Sequence, residues 1–332
     1  MNQSFDFRRL VSRDNNILQL LVVTALIFAL MSFLEPNKFL RYYNFESISF
    51  VFPELGILAI AMMLAMLTGG IDLSVIGIAN LSGILAGVYF SRYMPAEAGA
   101  SGLSEILRVG TGVVLALVVG LAAGFLNGLL IAKARITPIL ATLGTGQIFT
   151  GFCVVLTGGP AITGFPAYWG LIGNGKILGL AAPLVLFLLV AVTIALVLTR
   201  TPFGLNLMLI GTNPRAAVFA GLKRDRMILY SYMTTGVLAS IAGIMLSGRT
   251  NAAKSDYGTS YLLQAVLIAV LGGTNPAGGR GTVAGVSIAV IALMLLASGF
   301  QMMRFSNHLI DFIWGGFLLL VIAMNAYRNR TR

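Results

Sequence analysis

Ten apolar runs divide the chain, at 17–34, 54–68, 73–90, 110–132, 138–157, 178–199, 227–247, 261–273, 282–300 and 309–326. A helix needs about 20 apolar residues to cross the hydrocarbon core of a bilayer. Backbone groups in lipid must be bonded within the segment, so each run predicts a membrane-spanning helix. The expected fold is all-α, a polytopic transmembrane bundle of about ten helices, several of them short or discontinuous. The 54–68 run ends in Thr68-Gly69-Gly70, the 138–157 run contains Gly144, Gly146 and Gly151, and the 261–273 run is short and ends in Gly272-Gly273. Interrupted spans of this kind point toward a solute path. The first run is long enough to cross a bilayer and has no small-residue cleavage site, so it reads as an uncleaved helix.

A weak echo runs through the chain. Leu55–Leu67 leads into Gly69-Gly70-Ile71-Asp72, and Leu262–Leu271 leads into Gly272-Gly273-Thr274-Asn275. The glycine pairs lie about 200 positions apart, as two structural halves would place them. Chance likeness of glycine-rich turns is the alternative.

Composition supports the membrane reading. Apolar side chains make up 58% of the 332 residues and charged ones 10%, against roughly a quarter charged in soluble domains. The net charge of +11 does not signal nucleic acid, because the basic residues sit in short segments between apolar runs. They orient the chain instead, since Lys and Arg concentrate in cytoplasmic loops. Ten spans with both termini cytoplasmic place Arg8, Arg9, Arg13, Lys133, Arg135, Arg200, Arg215, Lys223, Arg224, Arg226, Arg280, Arg328, Arg330 and Arg332 inside. Tyr42, Tyr43, Tyr89, Tyr93, Tyr168 and Trp169 fall near outer boundaries, as an interfacial aromatic belt would. The whole of 1–332 reads as one transmembrane domain, with a cytoplasmic tail at 1–16 and a cytoplasmic loop at 200–226.

The sole cysteine, Cys153, lies in an apolar run and reads as a small buried hydrophobe, and the sole histidine, His308, reads as a loop-end residue. They cannot form a disulfide framework or a Cys/His metal cluster. No Gly-Lys-Ser/Thr phosphate loop occurs, so the chain is not expected to hydrolyse ATP alone.

Within the 200–226 loop, Asn213 suits a helix N-cap, Pro214 the first helical position and Gly221 a left-handed C-terminal cap. These predict a helix of about two turns, Pro214 to Ala220, outside the membrane. Such a helix is either packing or a lever for a soluble motor.

At this loop a resemblance emerges. Gly211-Thr212-Asn213-Pro214-Arg215-Ala216-Ala217, then Ala220-Gly221, resembles the motor-contacting loop of ribose-type permeases of bacterial ABC importers. Three further stretches resemble the same family. They are Thr68-Gly69-Gly70-Ile71-Asp72-Leu73-Ser74, then Asn127–Ile131 with Ile136–Thr145, and then Val270–Thr274 with Gly278–Thr282. The four blocks stand in family order and span most of the chain.

The resemblance implies a permease of the bacterial inner membrane that works as a pair, with an identical or a sister chain. It also implies two cytoplasmic ATPase subunits that carry ATP and magnesium, a periplasmic sugar-binding protein, and no cofactor on this chain. It assigns ATPase coupling to Gly211, Asn213, Pro214, Arg215, Ala216 and Gly221. Two departures stand out. Many relatives carry acidic residues where this chain has Pro214-Arg215, and an acidic residue near Tyr261-Leu262-Leu263-Gln264. The cargo could therefore be a ribose- or rhamnose-like sugar, autoinducer-2 or a nucleoside.

Asp72 is the one acidic residue flanked closely by apolar spans on both sides, which makes it a candidate gate or path residue. It can equally cap the helix near Leu73 with Ser74, where Gly69 and Gly70 permit the turn. Asn127, Thr142, Thr145, Gln147 and Gln264 are uncharged polar groups within spans, either interhelical glue or the lining of a weakly polar path. Gly69, Gly70, Gly272 and Gly273 read as structural glycines. Arg280 is an orientation charge or a second contact to the ATPase. An ion-coupled secondary transporter is the rival class, but it would place carboxylates well inside spans, whereas Glu54 and Asp311 sit near predicted span ends.

Overall fold

The computed structural model describes residues 15–93 and 102–330. All but the end of the expected tail at 1–16 lies outside the described residues. Eight helices are long and apolar enough to cross a membrane: α1 (Asn15–Leu34), α3 (Tyr42–Leu67), α4 (Val75–Tyr93), α5 (Leu103–Ala132), α6 (Pro138–Thr157), α8 (Ala182–Arg200), α11 (Arg224–Thr250) and α13 (Val283–Met302). The two remaining runs form α12 (Tyr261–Leu271), of 11 residues, and α14 (Asn307–Arg330), whose apolar part is His308–Val321. Short helices α2 (Pro36–Phe39), α7 (Ala167–Asn174), α9 (Pro202–Thr212) and α10 (Pro214–Phe219) join them. The strands are four two-residue pieces. Ile162–Thr163 (β1) pairs with Ala252–Ala253 (β4), and Lys176–Ile177 (β2) pairs with Leu180–Ala181 (β3). At the β2 end Lys176 donates to Glu46 of α3, and that hydrogen bond holds its ammonium above the usual pKa.

Helix α3 is the centre of the bundle. Its apolar residues occupy every face, and a helix apolar all round belongs in a core. From Phe52 to Leu67 every residue is buried. Helix α1 is the opposite case: most of its apolar residues are exposed, so it lies at the periphery of the bundle.

Helices α5 and α11 approach backbone to backbone. Ala116, Gly120, Gly124 and Gly128 recur every fourth residue on α5 and so share one face. A methyl group on Gly120 would collide with the Gly236 carbonyl of α11, and one on Gly124 with the Tyr232 carbonyl. Apolar residues gain little from leaving lipid, so small residues that admit close contact hold such pairs together.

The internal echo is structural, in a slightly different register from the glycine pairs. After α3, Gly69 adopts φ +79° and donates to the Met66 carbonyl, while the Gly70 amide reaches back to Ala65 at 3.2 Å. After α12, Gly273 adopts φ +86° and donates to Val270, while the Thr274 amide reaches back to Ala269 at 3.0 Å. Both are left-handed helix ends in which two amides satisfy terminal carbonyls. Each pairing (69 with 273, 70 with 274, 65 with 269) has an offset of 204. Gly69 therefore matches Gly273, and Gly70 matches Thr274.

The structure departs from the sequence expectation at three further points. The first half of the 200–226 loop is helix α9, whose Leu207 and Ile210 are fully buried in the bundle. Trp169 is no interfacial residue: it is fully buried, stacked on Phe165, and donates to Ser247 at 3.1 Å. Tyr42, Tyr43 and Tyr93 are exposed. Glu54 lies well inside α3 rather than near a span end.

Candidate functional site

Of the seven polar candidates, Asp72, Ser74, Asn127, Thr142 and Thr145 meet in one buried node where α3 turns into α4. Asp72 has no exposed surface. Its Oδ1 accepts from the Ser74 amide at 3.0 Å and the Ser74 hydroxyl at 2.6 Å, and its Oδ2 accepts from Thr235 of α11 at 2.8 Å. The chain of donors continues outward. Asn127 Nδ2 of α5 donates to Ser74 Oγ at 2.7 Å, and Thr145 of α6 donates to Asn127 Oδ1 at 2.6 Å. Thr142 accepts from the Leu73 amide at 3.0 Å and can donate to the carbonyls of Ile71 or Pro138. The node ties four helices through groups that would be costly to leave unpaired in a low-dielectric interior. Gly70 makes room for it, because a side chain there would strike Tyr232 Oη and Pro138.

These partners define a test. Asp72→Asn keeps the Oδ1 cap, and Thr235 can turn its hydroxyl to the Tyr232 carbonyl 2.9 Å away. Asp72→Ala leaves the Ser74 amide and hydroxyl without their acceptor, a cost of about 1–3 kcal/mol for buried groups. Thermal unfolding in detergent is expected to rank Asn close to the natural protein and Ala well below both. Equal destabilisation by the two would contradict the capping geometry.

Gln264 lies elsewhere. It lines a cavity of about 320 Å³ at the opposite end of the bundle, with Ser260, Tyr261, Gln301, Asp311 and Trp314. Gln147 is exposed on α6. Beside this cavity stands an ion pair that the sequence did not indicate. Arg249 of α11 donates to Glu54 of α3 at 2.7 and 3.3 Å, and Tyr261 Oη of α12 donates to the same carboxylate at 2.8 Å. Thr235 was missed as well; its only sequence signal is a hydroxyl pair, Thr234-Thr235, inside an apolar span.

At the other end three glycine-bearing segments converge. The Gly279 amide donates to the Leu67 carbonyl at 3.0 Å, which docks the 274–282 loop on the end of α3. Gly211, the last buried residue before α10, packs against both, so that a side chain there would collide with Leu67 O and Gly279 N. Helix α10 follows with the expected caps. The Asn213 side chain accepts from the Ala216 amide at 3.1 Å, Gly221 adopts φ +84°, and the Leu222 amide closes on the Ala217 carbonyl at 3.0 Å. The helix ends at Phe219, one residue before the expected Ala220. Only Ala217 of it is buried; Arg215 is exposed and Phe219 is 93% exposed. A cavity of about 930 Å³ opens beside it, lined by Lys133, Arg135, Lys223, Arg224 and Arg226 with Asp225.

Residues 44–322 match the family described as branched-chain amino acid transport system / permease component. The ribose import permease protein RbsC of Bacillus subtilis (strain 168) is 33% identical over 301 residues, covering 90% of this chain and 87% of that protein. The autoinducer 2 import system permease protein LsrD of Escherichia coli (strain K12) is 32% identical over 274 residues, covering 81% and 79%. No solved structure matches the chain significantly.

Proposed function

This chain belongs to the branched-chain amino acid transport system / permease component family, and from that premise we propose that it is the membrane subunit of an ATP-driven importer for a ribose- or rhamnose-like monosaccharide. It acts as a multi-pass protein of the bacterial inner membrane. We read it as one domain with ten crossings and both termini in the cytoplasm, the short α12 and α14 completing the eight long spans. It pairs with a second permease chain, receives its solute from a periplasmic binding protein and takes its work from separate ATPase subunits. ATP and magnesium belong to those subunits, and no enzymatic role is assigned to this chain.

The observation that carries the reading is helix α10. A short helix capped at both ends presents an exposed phenylalanine and an exposed arginine, residue types enriched at protein interfaces. It stands where the segments bearing Gly69, Gly211 and Gly279 pack together, so a load on α10 is transmitted to the ends of α3 and α9. Replacing 214–221 with a glycine-serine loop is expected to abolish co-purification with the ATPase while leaving the membrane domain folded. Phe219→Ala is expected to weaken that association by about tenfold. Retained assembly and transport in the loop variant would sink the coupling role.

Similarity to an autoinducer-2 permease supports a second cargo within the same class. An ion-coupled carrier is less well supported, because Glu54 is already paired with Arg249 and Asp72 has no exposed surface.

A further inference from the structure

The outer-end cavity between α3, α12, α13 and α14 differs in chemistry from everything around it. It opens at the end of the bundle opposite α10, among residues early in α3, α12 and α14 and late in α13. Ser260, Gln264, Gln301 and Asp311 bring a hydroxyl, two carboxamides and a carboxylate to its wall, and none of these side chains hydrogen-bonds to a described residue. Gln301 and Asp311 are exposed near the ends of α13 and α14, and Ser260 and Gln264 are half-buried, so their polar groups are free to meet a solute. The other polar group on the wall is already engaged, since Tyr261 donates its hydroxyl to Glu54 and is thereby fixed in place. Trp314 borders the same cavity but is 4% exposed, so only an edge of its ring reaches the wall.

We propose that this cavity is a transit site for a neutral polyhydroxylated solute, with Gln264, Gln301 and Asp311 taking its hydroxyl groups and the edge of Trp314 bordering it. Carboxamides both donate and accept, and a carboxylate accepts, so the set complements hydroxyls that do both. A volume of about 320 Å³ lies at the lower end of the roughly 300–1,000 Å³ of small-molecule pockets, which fits a single ring rather than a larger solute. No basic residue lines the wall, so phosphorylated or carboxylated solutes are repelled by Asp311. The inference rests on the importer reading above and names the place where that solute meets this chain.

The chain holds two tryptophans, and Trp169 is buried between Phe90 and Phe165, so emission from the full chain in lipid nanodiscs reports on Trp314. D-ribose at millimolar concentration is expected to change that emission saturably. Ribose 5-phosphate is expected not to, and Trp314→Phe and the Gln264→Ala/Gln301→Ala double variant are each expected to remove the response. In cells that carry the complete importer, the double variant is expected to take up labelled ribose about tenfold more slowly, at unchanged membrane abundance. A silent Trp314, or an equal response to the phosphate ester, overturns the site. So does undiminished uptake in the double variant, which would leave the importer reading intact. Failure of the natural importer to take up ribose or autoinducer-2 would instead remove the cargo reading.

Discussion

Arg249→Met is expected to destabilise the chain by about 3 kcal/mol, and the Glu54→Gln/Arg249→Met pair by far less. Breaking a buried pair by removing one partner costs about 3–5 kcal/mol, because a charge is left in the interior without compensation. The burden falls on Glu54, whose side chain is 2% exposed, while that of Arg249 is 25% exposed and partly hydrated; the lower end of the range applies. Tyr261 still donates to the carboxylate in the single variant, but one neutral donor does not replace a bidentate guanidinium. The double variant removes both charges and fills the space with an amide and an apolar chain, and such replacements of buried pairs are often neutral. Thermal unfolding of the four proteins of the cycle in one detergent measures the coupling directly. A single variant no worse than the double would mean that the pair contributes nothing beyond its volume.

The same residues show where the sequence stops being readable. Hydropathy locates the spans, because twenty apolar residues are needed to cross a bilayer whatever their neighbours are. Hydropathy does not say which span is central, because lipid tails and protein interior are equally apolar; α1 and α3 are both strongly hydrophobic, yet α1 lies at the periphery and α3 is buried. The caps of α10 were legible, since Asn213, Pro214 and Gly221 act within a few residues of one another. Glu54 and Arg249 stand 195 positions apart, and Asp72 and Thr235 stand 163 apart; only the packing of α3 and α4 on α11 brings them together. Trp169 looked interfacial for the same reason, as nothing local marks the Phe90 ring and the Ser247 hydroxyl that meet it. Helix α9 was lost inside a loop because Gly204 and Asn206 break up its apolar residues, whereas α12, of the same length, carries an unbroken apolar run from Ala265 to Leu271. The repeat was visible as paired glycines, but the left-handed position within each pair differs, and only the backbone shows the offset of 204.

Gly211→Ala is expected to destabilise the chain by about 3 kcal/mol and to disconnect α10 from the membrane helices. Overpacking a well-filled site costs typically about 1–3 kcal/mol. Here the added methyl meets backbone on two sides, the Leu67 carbonyl and the Gly279 amide, so no side chain can swing away to accommodate it. Something larger must move, and each candidate breaks a defined contact. Displacing the 274–282 loop stretches the 3.0 Å bond from Gly279 to Leu67. Displacing the end of α3 disturbs Gly69 and Gly70, two residues before the carboxylate that holds Ser74, Asn127 and Thr235 in register. Displacing α9 carries Asn213 and the coupling helix away from the bundle. Gly144→Ala is the control: it lies within α6 with open space at its Cβ, and helix propensity alone favours alanine there by up to about 1 kcal/mol. Thermal unfolding should separate the two by several degrees. Importers assembled with Gly211→Ala should retain ATP hydrolysis while losing solute uptake, since the motor would still grip α10 but pull on a joint that no longer seats. Equal stability of the two alanine variants, or full uptake with Gly211→Ala, would show that this junction yields without consequence and that force from α10 reaches the solute path by another route.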